Sequence, residues 1–158
     1  RDHPRDAGFQ LYLGDLAMMR QDFAYAETRY KAVLVTQPGN AAALNNLAWA
    51  SHRLGHAGAL GYAEQALALR PDHPAYMDTV ASLWATDPAK LAKALELQKQ
   101  AVALAPQVDR LRLTLAKLYV QAGQKAQAGQ ALQGLDAGKQ ETGDREQLAE
   151  LRRLVASN

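Results

Sequence analysis

The sequence contains no cysteine, which excludes disulfide bonds and thiolate metal sites. Aromatic side chains are scarce, at 6% of 158 residues, and the formal net charge is only +2. Through Ala89, seven Lys/Arg face nine Asp/Glu; from Lys90 onward, eleven face seven. So weak a field attracts no polyanion at long range, and no stripe interleaves basic with aromatic side chains, so nucleic acid is not an expected partner. No apolar run approaches the ~18–20 residues of a membrane span. A glycine-rich phosphate loop, a Gly-x-Ser-x-Gly elbow and a His-Glu-x-x-His pair are all missing, and with them the common signatures of catalysis. The expectation is a non-catalytic protein with no cofactor and no metal. His52 and His56 stand at metal-binding i, i+4 spacing. Gly55 interrupts the helix between them, however, and no third ligand adjoins in sequence. They read as polar residues at a hairpin tip, and His3 and His73 read as turn residues.

What the sequence does contain is alanine and leucine, in a hydrophobic fraction of 48%. Alanine has the best helix propensity, and its small side chain lets helices approach closely. Pro38, Pro71 and Pro106 punctuate the chain at spacings of 33 and 35 residues, each closing an alanine- and leucine-rich stretch. A period near 34 predicts a stack of like units. The 3.6-residue pattern predicts helices over 6–20, 23–36, 40–55, 57–69, 74–85, 88–104, 109–121, 124–135 and 145–156. Asp6, Asn40, Asp87 and Asp144 are the expected N-caps. Gly129 and Gly134 make the eighth helix the expected weak one, since each glycine costs roughly 1 kcal/mol against alanine. With connections this short, neighbouring helices must run antiparallel, as helical hairpins.

Within that period, small residues recur in pairs. Leu13-Gly14 with Ala26, Leu47-Ala48 with Ala59, Val80-Ala81 with Ala94, and Leu115-Ala116 with Ala128 occupy corresponding positions. A tiny side chain is needed where two helices cross at ~8–10 Å. Tyr30, Ala66, Ala101 and Leu132 follow, then the prolines. This pattern resembles the tetratricopeptide repeat (TPR) over nearly the whole chain. The resemblance implies an all-α, right-handed superhelical stack of about four hairpins, with repeats near 6–38, 40–71, 74–106 and 109–137 and a capping helix at 144–156. Ala63 and Gln98 stand where an aromatic is usual, and Gln140 where proline is, so looser seams are expected there. Leu44-Asn45-Asn46-Leu47-Ala48-Trp49, with Tyr62 through Leu69 and Pro71 through Ala75, is similar to the C-terminal repeats of bacterial TPR lipoproteins of exosortase-linked exopolysaccharide systems. That similarity favours a periplasmic or outer-membrane-associated setting. Asp2-His3-Pro4 repeats the inter-repeat phrase Asp72-His73-Pro74, which suggests one piece of a longer array.

The family resemblance also implies where a ligand lies, because the first helices of TPR hairpins line a concave groove. The residues turned toward it are expected to be Tyr12, Asp15 and Met19; then Asn45, Asn46, Trp49, His52 and Arg53; then Asp78, Thr79 and Ser82; then Arg110, Leu113, Thr114 and Lys117. Asn46 stands out because a mid-helix asparagine amide competes with the backbone, yet in a groove it both donates to and accepts from a peptide. Trp49 reads either as an anchor for the ligand or as packing between hairpins. The paired Lys/Asn/Arg set of chaperone-binding TPR domains is incomplete, since Gly8, Tyr12 and Asp15 occupy the first repeat, so a chaperone C-terminus is not an expected ligand. The expected function is a protein-interaction scaffold that holds a partner peptide or protein. The alternative is a structural spacer, or a segment that self-associates through its alanine-rich hairpins. Sugar stacking on Tyr12, Trp49 and Trp84 is a weaker third reading.

Overall fold

The structure is a computed structural model and describes residues 6–157. Asp2-His3-Pro4, and His3 with it, lies outside them. Among the described residues there are nine helices and no strand: α1 (Ala7–Met19), α2 (Phe23–Thr36), α3 (Ala41–Arg53), α4 (Ala59–Leu69), α5 (Pro74–Trp84), α6 (Leu91–Leu104), α7 (Asp109–Gln121), α8 (Lys125–Leu132) and α9 (Thr142–Ala156). No helix among them is long and apolar enough to cross a membrane. α1 packs on α2, α2 on α3 and α3 on α4, and likewise α6 on α7, α7 on α8 and α8 on α9, with the antiparallel sense that short connections require. The chain divides into two compact units, Arg1–Val80 and Ala81–Asn158.

Local signals place the helix starts. Asp6 caps α1 by accepting from the Gly8 and Phe9 amides at 2.8 and 3.2 Å, and Asn40 caps α3 through the Ala43 amide at 3.0 Å. These bonds satisfy donors that have no partner inside the helix. Asp22 caps α2 in the same way, through Tyr25. Asp87 caps only a short 3-10 turn, Pro88–Lys90, and α6 proper starts at Leu91. α8 stops at Leu132, short of the expected Leu135, because Gly134 lies in the left-handed region at φ +75°. α9 begins at Thr142, so Asp144 falls inside its first turn instead of capping it. There its negative charge faces the helix's positive end.

In the amino-terminal unit, Ala17, Ala26 and Tyr30 of the first hairpin bury against Leu47 and Ala50 of α3. Leu44 and Ala66 then meet Tyr76 at the start of α5. In the carboxy-terminal unit, Ala81 meets Ala94 and Leu95, with Leu115 and Leu118 closing that cluster. Leu148 and Leu151 of α9 seal Leu113, Ala128, Leu132 and Leu135. The small residues expected at helix crossings are buried in all four repeats, from Gly14 with Ala26 to Ala116 with Ala128.

The departures from the repeat pattern are filled by polar side chains in the carboxy-terminal unit. Gln98 is fully buried and donates through Nε2 to the Leu111 carbonyl at 2.9 Å, tying α6 to α7. Gln140 is buried as well, and its Nε2 donates to Asp109 Oδ2 at 2.7 Å. Each glutamine satisfies a polar group of a neighbouring element as it fills space, so hydrogen bonds close the seams that were expected to be loose. Arg152 likewise donates to the Leu135 carbonyl at 2.6 Å and holds α9 against the end of the fourth repeat.

Candidate functional site

The amino-terminal unit sets α1 beside α3, the first helices of consecutive repeats. Asp15, on α1, accepts at Oδ1 from the Tyr30 hydroxyl at 2.8 Å and from Asn46 Nδ2 at 2.9 Å. Asn46 Oδ1 in turn accepts from Asn45 Nδ2 at 3.1 Å. One carboxylate thus joins a hairpin's own second helix to the next repeat's first. Burial, and then the Asp15 carboxylate, push the Tyr30 phenol well above its ordinary range, so it remains a donor. One helical turn after Asn46, Trp49 donates from Nε1 to Thr79 Oγ1 at 3.0 Å. The Thr79 hydroxyl in turn donates a hydrogen bond to the Ala75 carbonyl at 3.0 Å. The His52 ring lies edge-on to Trp49, with centroids 6.0 Å apart. Tyr12, one turn before Asp15, is 59% exposed.

Not every expected groove residue reaches a surface. Asn45, Asp78 and Thr79 are buried; Thr79 accepts the Trp49 indole N–H of the preceding repeat, and Asn45 donates to Asn46. The Asn45 Oδ1 atom is buried with no protein donor. Trp49 is half-buried, and its bond to Thr79 ties it to the next repeat. Arg53 is exposed, but its guanidinium lies 4.4 Å from the centroid of the Phe23 ring, drawn to the ring's negative face at the hairpin tip. Met19 is exposed. In the carboxy-terminal unit, Arg110 and Lys117 are exposed on α7, with Thr114 half-buried between them and Ser82 half-buried on α5. Leu113 belongs to the core that α9 covers, at 1% exposure.

Sequence reasoning missed a second polar cluster. Glu27, on α2, is buried, and its Oε1 accepts from Ser51 Oγ at 2.8 Å. His56 Nδ1 and Lys31 Nζ both lie 3.2 Å from the same oxygen. Burial pushes the carboxyl's pKa up, but the bonds from His56, Ser51 and Lys31 outweigh it and hold the group below its usual value. His56 is therefore a partner of Glu27, in keeping with its place at a hairpin tip. Among the described residues, no group of three or more His, Cys, Asp or Glu side chains is placed to hold a metal ion.

Residues 85–155 match the family model of the tetratricopeptide repeat. No curated protein matches the chain. Among solved structures, a thermophilic TPR protein of Thermus thermophilus aligns with a TM-score of 0.83 at 22% identity, covering 95% of this chain and 83% of that one. MamA of Desulfovibrio magneticus aligns at 0.69 with 19% identity, over 97% of this chain and 79% of that one. The TPR2B domain of yeast Sti1, solved in complex with pHsp70, aligns at 0.64 with 20% identity, over 75% of this chain and 97% of that one. The fold is that of the tetratricopeptide-repeat class, a row of helical hairpins. Such a fold suggests a scaffold for protein–protein interaction.

Proposed function

We propose that this chain is a non-catalytic scaffold that holds an extended peptide segment of a partner protein on the α1/α3 face of its amino-terminal unit. The observation that carries this reading is the ordering of Asn46. Its amide is fixed at both ends, by Asp15 at 2.9 Å and by Asn45 at 3.1 Å. A polar group already held in place loses little freedom when a ligand arrives, and that saving appears as affinity. The exposed Tyr12 ring and the half-buried Trp49 stand one turn from Asp15 and Asn46 respectively. Aromatic side chains beside ordered polar groups are the usual composition of a binding hot spot. The polar atoms between them are chiefly acceptors, the Asp15 carboxylate and Asn46 Oδ1. They suit peptide N–H groups or a basic side chain better than an acidic terminus, in keeping with the incomplete chaperone-binding set. The Leu44–Trp49 and Tyr62–Leu69 phrases support placing the scaffold in a bacterial exopolysaccharide or envelope export system.

A displayed peptide library panned against the chain tests the proposal. The recovered peptides are expected to bind Tyr12→Ala about 10-fold more weakly, measured by calorimetry, with Tm unchanged because the Tyr12 ring is exposed. Failure to recover any peptide, or peptides that bind the Tyr12→Ala and His52→Ala variants as tightly as the parent, refutes this placement.

A further inference from the structure

The repeat register makes the outer face of α1 comparable with faces whose partners are known. Counting from the small crossing residue, the positions five before, one before and two after form one helical stripe. In α3 they are Ala43, Leu47 and Ala50, at 0%, 1% and 0% exposure, and they bury against the first hairpin. In α7 they are Leu111, Leu115 and Leu118, at 3%, 8% and 1% exposure, with Leu115 and Leu118 packed on Ala94 and Leu95 of α6. In α1 the same positions are Phe9, Leu13 and Leu16. Phe9 is 42% exposed, and both leucines are only half-buried. A cleft of about 280 Å³ runs along this stripe, with Leu13, Leu16 and Ala17 lining it and Arg20, Asp22 and Tyr25 beside them. The residues are large and apolar where a solvent-facing stripe of an end repeat is polar.

We infer that this stripe is the seat of a further repeat hairpin, carried by the same polypeptide on the amino-terminal side of α1. The second helix of that hairpin fills the cleft, as α2 covers the corresponding stripe of α3. Two independent features select this occupant. The α1 surface continues, in register, the seams seen inside both units. In addition, Asp2-His3-Pro4 repeats Asp72-His73-Pro74, the phrase that joins the end of α4 at Leu69 to the start of α5 at Pro74. An inter-repeat phrase just ahead of α1 is what a preceding second helix requires. The covering helix is expected to carry small and apolar residues at i, i+4 and i+7, as α2 does with Ala26, Tyr30 and Val33.

Reading the open frame on the 5′ side of the Arg1 codon, and expressing the chain with that extension beside the 158-residue chain, tests the inference. The extension is expected to encode a helical hairpin of this pattern. The double variant Phe9→Ser/Leu13→Ser is expected to lower the Tm of the extended chain by about 5 °C or more, because two buried apolar side chains are lost. The same variant in the shorter chain is expected to shift Tm less than half as far, with helicity by circular dichroism confirming that both forms fold. An upstream frame without such a hairpin overturns the inference, as does an equal shift in both chains. A 158-residue chain that sediments as a dimer, and as a monomer once the double variant is made, assigns the stripe to a second copy and overturns it as well.

Discussion

A methyl group on Gly14 would sit 2.5 Å from Cε1 of Tyr30, and that ring is fully buried. The ring has nowhere to go: its hydroxyl is bonded to Asp15, and its other neighbours are Ala17, Ala26 and Leu47. Gly14→Ala is therefore expected to cost about 2–3 kcal/mol through overpacking, although alanine is the better helix former; thermal or urea unfolding measures it. Glu27 supports a second prediction at this scale. Its folded pKa lies below the ordinary carboxylate value of 4.5, so the stability it contributes is complete above that value. This contribution drains away as the pH falls through the depressed one. Urea midpoints measured from pH 7 down to pH 3 are expected to fall more steeply for the parent than for Glu27→Gln, with the variant already the less stable at neutral pH. The small crossing residues were legible in the sequence because sterics alone dictates them. The Glu27 cluster was not, since Ser51 and His56 lie 24 and 29 residues away and meet Glu27 only across a seam. The burial of Asn45 and Thr79 was also hidden, because helical periodicity gives a residue's angle but not the depth of the neighbour covering it.

At the scale of elements, the turns that follow α1, α3 and α7 share one construction. After α1, the Gln21 amide donates to Met18 O and the Asp22 amide to Ala17 O; after α3, Gly55 and His56 donate to His52 O and Ser51 O. After α7, Gly123 and Gln124 repeat the pattern on Val120 O and Tyr119 O. Each is a Schellman motif, which needs one residue in the left-handed region. Gly55 and Gly123 supply it at φ +70° and +73°, while Gln21 is forced there at φ +60°. Gln21→Gly is expected to raise stability by about 0.5–1 kcal/mol by relieving that conformation, seen as a rise in Tm with unchanged helicity. The sequence marked two of these turns by their glycine and hid the third behind a glutamine. It also marked Gly129 only as a weakness of α8. The structure gives that residue a second role, since a Cβ there would lie 3.3 Å from Val155 of α9 and would press on the helix that closes the carboxy-terminal unit.

At the scale of the molecule, the near-34-residue period carried the fold, because each hairpin buries its apolar stripe chiefly on its neighbours. Nearly every helix was legible from prolines, caps and paired small residues. The errors fell at Asp144, Gly134 and the Pro88 turn, where local backbone geometry decides and periodicity says little. The candidate site was less legible. The sequence led us to expect Tyr12, Asp15, Asn46 and Trp49 on one face, but the bonds from Asp15 to Asn46 and from Trp49 to Thr79 join different helices and leave no mark on local spacing.

The division at Val80 also gives the chain a natural optical label for each half. Its two tryptophans fall one on either side: Trp49 is held by Thr79 in the first unit, and Trp84 packs with the cluster around Ala81 and Leu95 in the second. Trp84→Phe leaves an indole that emits only from the first unit, and Trp49→Phe leaves one that emits only from the second. Chemical denaturation of the two variants, followed by the red shift of their fluorescence, is expected to give a separate melting record for each part. Coincident midpoints would mean that the halves unfold as a single cooperative body, and divergent ones would rank them without cutting the polypeptide.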